Sequence, residues 1–257
     1  MIWLTDALQN FANGVYRWLP QSTPSLSRRK EAKLVAHRGA WDDTHKENTH
    51  QAFARCLQTP VWGIEFDIRW TLDNVPVVHH DRSCRRVFDK DILISETNAD
   101  DLLSQLPAIP KFQDVVDRYG GQLHLMIELK NQPKPEQASV LKSLLSDLRP
   151  RVDYHFMSLD FDHFKTLKEW DPKCWVSIAR TNIRDIYHKT MTHNIGGLTG
   201  QYLLISGSMK THCHSQDIKV GTGFPDSKNL LFREINQGSD WIFTNRALEL
   251  SEHLIEE

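Results

Sequence analysis

A chain of 257 residues with 31 basic and 33 acidic side chains has the size of one large α/β domain and a net charge of only −2. That balance leaves no basic footprint for nucleic acid, and no apolar run approaches the roughly 20 residues needed to span a bilayer. Four cysteines, Cys56, Cys84, Cys174 and Cys213, stand without close pairs, which argues against a disulfide framework or a zinc knuckle and for a reducing compartment.

Residues 1–30 read as an amphipathic helix and linker ahead of a barrel domain at 31–257. Ile2-Trp3-Leu4, Leu8, Phe11, Val15 and Trp18-Leu19 recur at helical spacing, and Pro20 to Pro24 ends the helix. There is no basic start or small-residue cleavage site, and Asp6 interrupts the opening, so a signal peptide is not expected. An interfacial anchor usually carries Lys and Arg along its polar face. Here that face offers Asp6, Gln9, Asn10 and Asn13, while Arg17, Arg28, Arg29 and Lys30 lie at or beyond the helix end. The stripe is therefore expected to pack on the barrel, at its amino-terminal mouth or on one flank. Membrane contact through residues 2–19 is the less favoured reading, and the expected location is cytoplasmic, with peripheral membrane association as the alternative.

From Lys33 onward, short β-like runs alternate with helical patterns, which predicts repeated βα units and a parallel sheet. The predicted strands are 33–38, 62–70, 123–129, 153–158, 174–179, 202–206, 217–222 and 240–244. Eight runs fit a (β/α)8 TIM barrel. A doubly wound nucleotide fold would need a glycine-rich turn after the first strand, and His37-Arg38-Gly39-Ala40-Trp41 is not one. Residues 82–122 break the alternation, with short helices expected at Asp100–Leu106 and Phe112–Tyr119.

Side chains alternate across a strand, so Glu65 and Asp67 share one face while Ile64, Phe66 and Ile68 share the other. Two carboxylates inside a barrel repel and lose hydration unless something neutralises them. A divalent cation would, with Glu128 from the neighbouring strand as a third ligand, and oxygen-only ligation favours Mg2+ or Ca2+ over zinc. A purely structural pairing of these acids with Arg38 and Lys130 is the alternative. Arg38 offers a planar fork matched to phosphate, and Lys130 a point charge. Asn48 fits either a helix cap or a substrate-side role, Asp73 and Asp81 read as turn formers, and His212-Cys213-His214 reads as a solvated loop, since two further metal ligands are lacking nearby.

The ordered set His37-Arg38-Gly39, Glu47-Asn48-Thr49, Glu65-x-Asp67, Thr71-x-Asp73 and Val77-Val78-His79-His80-Asp81 resembles the amino-terminal signature of the glycerophosphodiester phosphodiesterases. The likeness continues through Ile109-Pro110, Glu128-Leu129-Lys130 and Gly238 to Asn245, leaving only about the first thirty residues outside it. The resemblance implies a (β/α)8 barrel with a small insertion, within 82–122, above its active site. It implies acid–base catalysis by His37 and His80; strand alternation turns His79 to the opposite side, in a packing role or a role supporting the site. It also implies phosphate contacts from Arg38 and Lys130, and cleavage of a small glycerophosphodiester to glycerol 3-phosphate and an alcohol. The chain departs from the family pattern at Lys219-Val220-Gly221-Thr222-Gly223-Phe224, where relatives commonly carry Trp-Thr-x-Asn. It departs again at Thr244-Asn245-Arg246-Ala247, where Thr-Asp-Arg-Pro is usual. Both positions bear on the pocket for the alcohol or the glycerol part of the substrate. Lysophospholipase D type hydrolysis of lysophospholipids is the first alternative, and an inactive lipid- or partner-binding barrel the second.

Overall fold

The computed structural model describes the backbone of residues 2–256 and the side chains of residues 9–256. α1 (Ile2–Trp18) and α2 (Leu26–Glu31) precede β1 (Leu34–His37), α3 (His50–Ala54), β2 (Gly63–Trp70) and β3 (Pro76–Val78). Next come α4 (Arg85–Phe88), α5 (Ala99–Gln105), α6 (Phe112–Tyr119), β4 (His124–Leu129), α7 (Pro135–Leu144), β5 (Tyr154–Ser158) and β6 (Trp175–Ala179). α8 (Ile183–Thr192), β7 (Gly197–Gln201), α9 (Gly207–Ser215), β8 (Lys219–Gly223), α10 (Lys228–Asn236), β9 (Trp241–Thr244) and α11 (Ala247–Ile255) complete the chain.

β1, β2, β4, β5, β6, β7, β8 and β9 pair in parallel in that order, and β1 also pairs with β9, so the sheet closes into the expected (β/α)8 barrel. β3 folds back antiparallel on the carboxyl end of β2 and leads into the insertion. The alternation of β2 resolves as its sequence demands. Ile64, Phe66 and Ile68 pack with Phe53, Phe112 and Tyr119 in the layer between strands and helices. Inside the barrel, Val35, Met126, Met157, Val176, Trp241 and Phe243 fill the layer beneath the carboxyl-terminal mouth. In the family of barrel folds that mouth carries the active site.

Seven of the eight predicted strands match within about two residues, but the sixth does not. Residues 202–206 form a turn that ends on Ser206, whose hydroxyl accepts from the Met209 N–H and caps α9. The strand is Gly197–Gln201, and its glycines hide it from a propensity reading. A Cβ on Gly196 would lie 1.9 Å from the Lys173 carbonyl, and one on Gly197 2.6 Å from the Trp241 ring. His212-Cys213-His214 is likewise not a loop: it lies in α9, with Cys213 buried and His214 2.7 Å from Asp240. The helices expected within 82–122 form as α5 and α6.

α1 forms over the expected span but faces the opposite way. Asn13 is buried, accepting from the Tyr202 hydroxyl at 2.6 Å and donating to the Phe224 carbonyl at 3.4 Å. Gln9 accepts from Gln201, Tyr16 packs edge-on against Tyr202, and Arg17 pairs with Asp226. Phe11, Val15 and Trp18 point away from the barrel, at 71%, 49% and 83% exposed. For these residues the expectation that the apolar stripe packs on the barrel fails, because hydrogen-bonding groups at the ends of β7 and β8 select the polar face instead. The side chains of Trp3, Leu4 and Leu8 lie outside the described residues. The helix also sits beside the carboxyl-terminal mouth, not the amino-terminal one. Among the described residues, no helix is long and apolar enough to cross a membrane.

Gly197→Ala is expected to destabilise the fold by about 1–3 kcal/mol, since the added methyl overpacks the barrel interior against Trp241. Chemical denaturation checks this, and an unchanged midpoint would contradict the close approach.

Candidate active site

Strand register brings the acids together. Glu128 on β4 lies level with Asp67 on β2, and His37 on β1 lies level with Glu65. All three carboxylates are buried, and one oxygen of each lies within 4.8 Å of the others, close enough for a single cation to touch all three. Among the described residues this is the one group of histidine, cysteine or acidic side chains with such geometry. Glu65 Oε1 and Asp67 Oδ1 are buried without a hydrogen-bond partner. Oxygen atoms left unpaired in a charged, buried cluster are what a hard divalent cation satisfies.

Two cations flank the cluster. Lys130 Nζ donates to Glu128 Oε1 at 2.6 Å and lies 3.1 Å from Asp67 Oδ1, off the direction of a good hydrogen bond. Arg38 Nε stands 3.5 Å from Asp67 Oδ2, also without a hydrogen-bond partner, while its Nη1 donates to Glu47 at 2.9 Å. Arg38 adopts a left-handed backbone conformation, φ 60°, which a non-glycine residue rarely takes. That turn points its backbone N–H at Glu65 Oε2, 3.0 Å away, and sends the guanidinium across the mouth. The strain is held in place by ligating partners on both ends of the residue.

The electrostatics are those of too many acids for two bases. Burial pushes the Glu65 carboxyl well above the usual range, and repulsion from Asp67 and Glu128 adds to it. Glu128 is raised in the same way, by burial and then by Asp67. Burial also acts to raise Asp67, but Lys130 and Arg38 overcome it and hold that group below its ordinary value.

His37 Nδ1 lies 2.7 Å from Asn245 Oδ1, and its Nε2 faces Glu65 at 3.8 Å. An amide oxygen only accepts, so the proton sits on Nδ1 and Nε2 is free as a base. Burial, and then Arg38, lowers this imidazole to about 4. Phe224 packs edge-on against it with ring centroids 4.7 Å apart. His80 differs in its far partner, a carboxylate: Nδ1 lies 2.6 Å from Asp81 Oδ1. Burial lowers His80, while Asp67 and the bonded Asp81 act against it. His79 is buried on the other side of the chain, with Nε2 3.2 Å from the Ser83 carbonyl, as its packing assignment requires.

The sequence singled out the seven residues His37, Arg38, Glu65, Asp67, His80, Glu128 and Lys130, and the fold gathers them at one mouth. Three neighbours were left open, read too narrowly or missed. Asn48 is no cap, since Thr49 caps α3; instead its Nδ2 donates to Asp67 Oδ2 at 2.8 Å. Asp81 is more than a turn former, because it joins His80 to Arg86. Arg86 itself, from α4 in the insertion, went unnoticed, although it also holds Glu47 at 2.6 Å. No spacing rule could have found it, because its partners, Glu47 and Asp81, lie on two separate segments. Asp73 keeps its turn role, accepting from Thr71 and from the Ala99 N–H.

Known proteins give the same frame. The sequence model of the "Glycerophosphoryl diester phosphodiesterase family" matches residues 37–180, more than half of the chain. YhdW of Bacillus subtilis is 34% identical over 111 residues, 39% of this chain and 45% of that one. A glycerophosphocholine phosphodiesterase of Homo sapiens is 27% identical over 183 residues, 63% of this chain and 26% of that one. The matches thus cover less than half the length of these curated relatives. Among solved structures, a phosphodiesterase of Oleispira antarctica in complex with sn-glycerol-3-phosphate superposes with a TM-score of 0.73 at 20% identity, covering 87% of this chain and 97% of that one. At that identity the superposition shows the shared barrel. The matched sequence model shows the rest: this chain belongs to the glycerophosphoryl diester phosphodiesterase family.

Proposed function

We propose that the protein hydrolyses glycerophosphodiesters to glycerol 3-phosphate and an alcohol, with the help of one divalent cation, Mg2+ or Ca2+. The observation that carries this is the convergence of Glu65, Asp67 and Glu128 within 4.8 Å, ringed by Arg38, Lys130 and two histidines. Glu65, Asp67 and Glu128 would hold the cation. When bound, it polarises a phosphoryl oxygen and makes a nearby hydroxyl a better nucleophile.

The chain's own residues supply the rest. Arg38, whose Nε has no protein partner, and Lys130 orient the diester and offset its developing negative charge. His37, with Nε2 free, takes the proton from the glycerol 2-hydroxyl as that oxygen attacks phosphorus. His80, backed by the Asp81 carboxylate, gives a proton to the departing alcohol oxygen. A cyclic phosphate results, and water opens it with the two histidines in reversed roles. Asn245 and Asp81 fix the two imidazole tautomers, and Phe224 holds His37 in position. The inactive-barrel alternative has no support from a residue set this complete. Lysophospholipid hydrolysis has one supporting observation, the outward apolar face of α1 beside the mouth.

Release of glycerol 3-phosphate from glycerophosphocholine and related diesters, lost with a chelator and restored by Mg2+ or Ca2+, tests the reading. No release under any metal condition would defeat it. His37→Ala and His80→Ala are each expected to lower turnover by about 10²-fold or more, and His79→Ala far less.

The pH dependence of stability has a definite sign. Glu65 binds its proton more tightly folded than unfolded, so the stabilisation it contributes is complete below the unfolded value of about 4.3 and is lost as pH rises through its folded value. In the metal-free protein, Glu65→Gln is therefore expected to raise Tm, and by more at pH 8 than at pH 5. Saturating divalent cation should raise the Tm of the parent and not of the variant. Thermal scans that show the variant's advantage shrinking with pH would contradict the assignment.

A further inference from the structure

Seven of the nine large apolar side chains exposed among the described residues are on the catalytic side of the barrel or on α1, which docks there. Phe11, Val15, Trp18 and Leu19 belong to α1 or its end, and Leu203 follows β7. Leu72 caps the β2–β3 hairpin, and Leu93 lies in the insertion that packs on that hairpin through the Leu72 N–H to Thr97 carbonyl bond. β2 and β7 are four strands apart around the eight-strand ring, so the two apolar groups face each other across the mouth. Only Val152, before β5, and Ile255, at the end of α11, lie at the opposite end.

We propose that this apolar rim, led by Phe11, Val15 and Trp18 of α1, docks on a phospholipid bilayer and holds the catalytic mouth against the lipid surface. The polar side of α1 is already committed to the barrel through Asn13, Gln9 and Arg17, which leaves the stripe at i, i+4 and i+7 to face outward. A Trp at the end of such a stripe suits the headgroup boundary, where an amphipathic ring is best accommodated. A second copy of the chain is a poorer occupant. A stable dimer needs about 800 Å² from each partner, whereas Phe11, Val15 and Trp18 offer roughly half of that at about 150–250 Å² for each aromatic. The attraction is apolar in origin. Arg17 is paired with Asp226, and Arg28 and Arg29 are bonded to main-chain carbonyls of α10 and α11, so no basic cluster selects anionic lipid. Resting on the diesterase reading, the docking adds a substrate class to the soluble diesters: lysophospholipids, whose phosphodiester headgroups stand at the surface that the mouth would meet.

Flotation of the full-length protein with phosphatidylcholine vesicles tests the docking without any substrate. The parent is expected to float, equally well when anionic lipid is added. Phe11→Glu/Trp18→Glu is expected to lose about tenfold or more of the bound fraction, while Val152→Glu, at the far end, floats as the parent does. The double variant should hydrolyse soluble glycerophosphocholine at the parental rate and lysophosphatidylcholine in vesicles at least about tenfold more slowly. A parent that stays unbound, a double variant that floats normally, or a dimer that the double substitution dissociates would overturn the proposal. Absence of turnover in every form would instead remove the diesterase reading and leave the flotation result standing.

Discussion

Three buried acids and two bases in one small space set the terms for everything around them. Fully ionised, Glu65, Asp67 and Glu128 carry one charge more than Arg38 and Lys130 offset, in a setting where water screens little. Without a cation the burden falls on Glu65, whose carboxyl is pushed well above the usual range by burial and by its acidic neighbours. A divalent cation would resolve it while keeping all three groups charged. Stability of the upper barrel, its dependence on pH and any affinity for a cation would therefore be parts of one electrostatic balance.

The balance extends outward through a chain of contacts that fixes the histidines. Arg38 meets Glu47, Glu47 meets Arg86, Arg86 meets Asp81, and Asp81 meets His80. Arg86 belongs to the insertion, so this excursion from the barrel does more than cover the mouth. It completes the orientation of one imidazole. The other is fixed from across the ring by Asn245 at the end of β9 and Phe224 after β8. Each histidine is thus held by a different part of the barrel, which keeps the two imidazoles on separate sides of whatever lies between them.

The alternation of β2 was enough to read the face that gathers the acids, because Glu65 and Asp67 can only share a side when Ile64, Phe66 and Ile68 share the other. The barrel followed from counting strands, yet its sixth strand was misplaced. Gly196 and Gly197 sit where the backbone must approach Lys173 and Trp241, so a packing demand from distant residues erased the local signal. Asn48 was left between two roles, Asp81 read too narrowly and Arg86 missed for a related reason: their contacts are with partners on other elements. The amino-terminal helix was located correctly from its period but turned the wrong way. Amphipathic spacing shows that two faces exist, and hydrogen-bonding groups at the ends of β7 and β8 decide which one the barrel takes.

That inversion has a bearing on how freely the helix can be acquired or discarded. An ordinary amphipathic helix hides a greasy face of its host, and removing it leaves a patch that aggregates. Here the contacts between α1 and the barrel include the Tyr202 hydroxyl, the Gln201 amide, the Phe224 carbonyl and the Asp226 carboxylate, groups that water can serve equally well. A barrel without this helix would expose mostly such polar groups, together with the Tyr202 ring that Tyr16 covers, so most of its seat on the barrel would remain wettable.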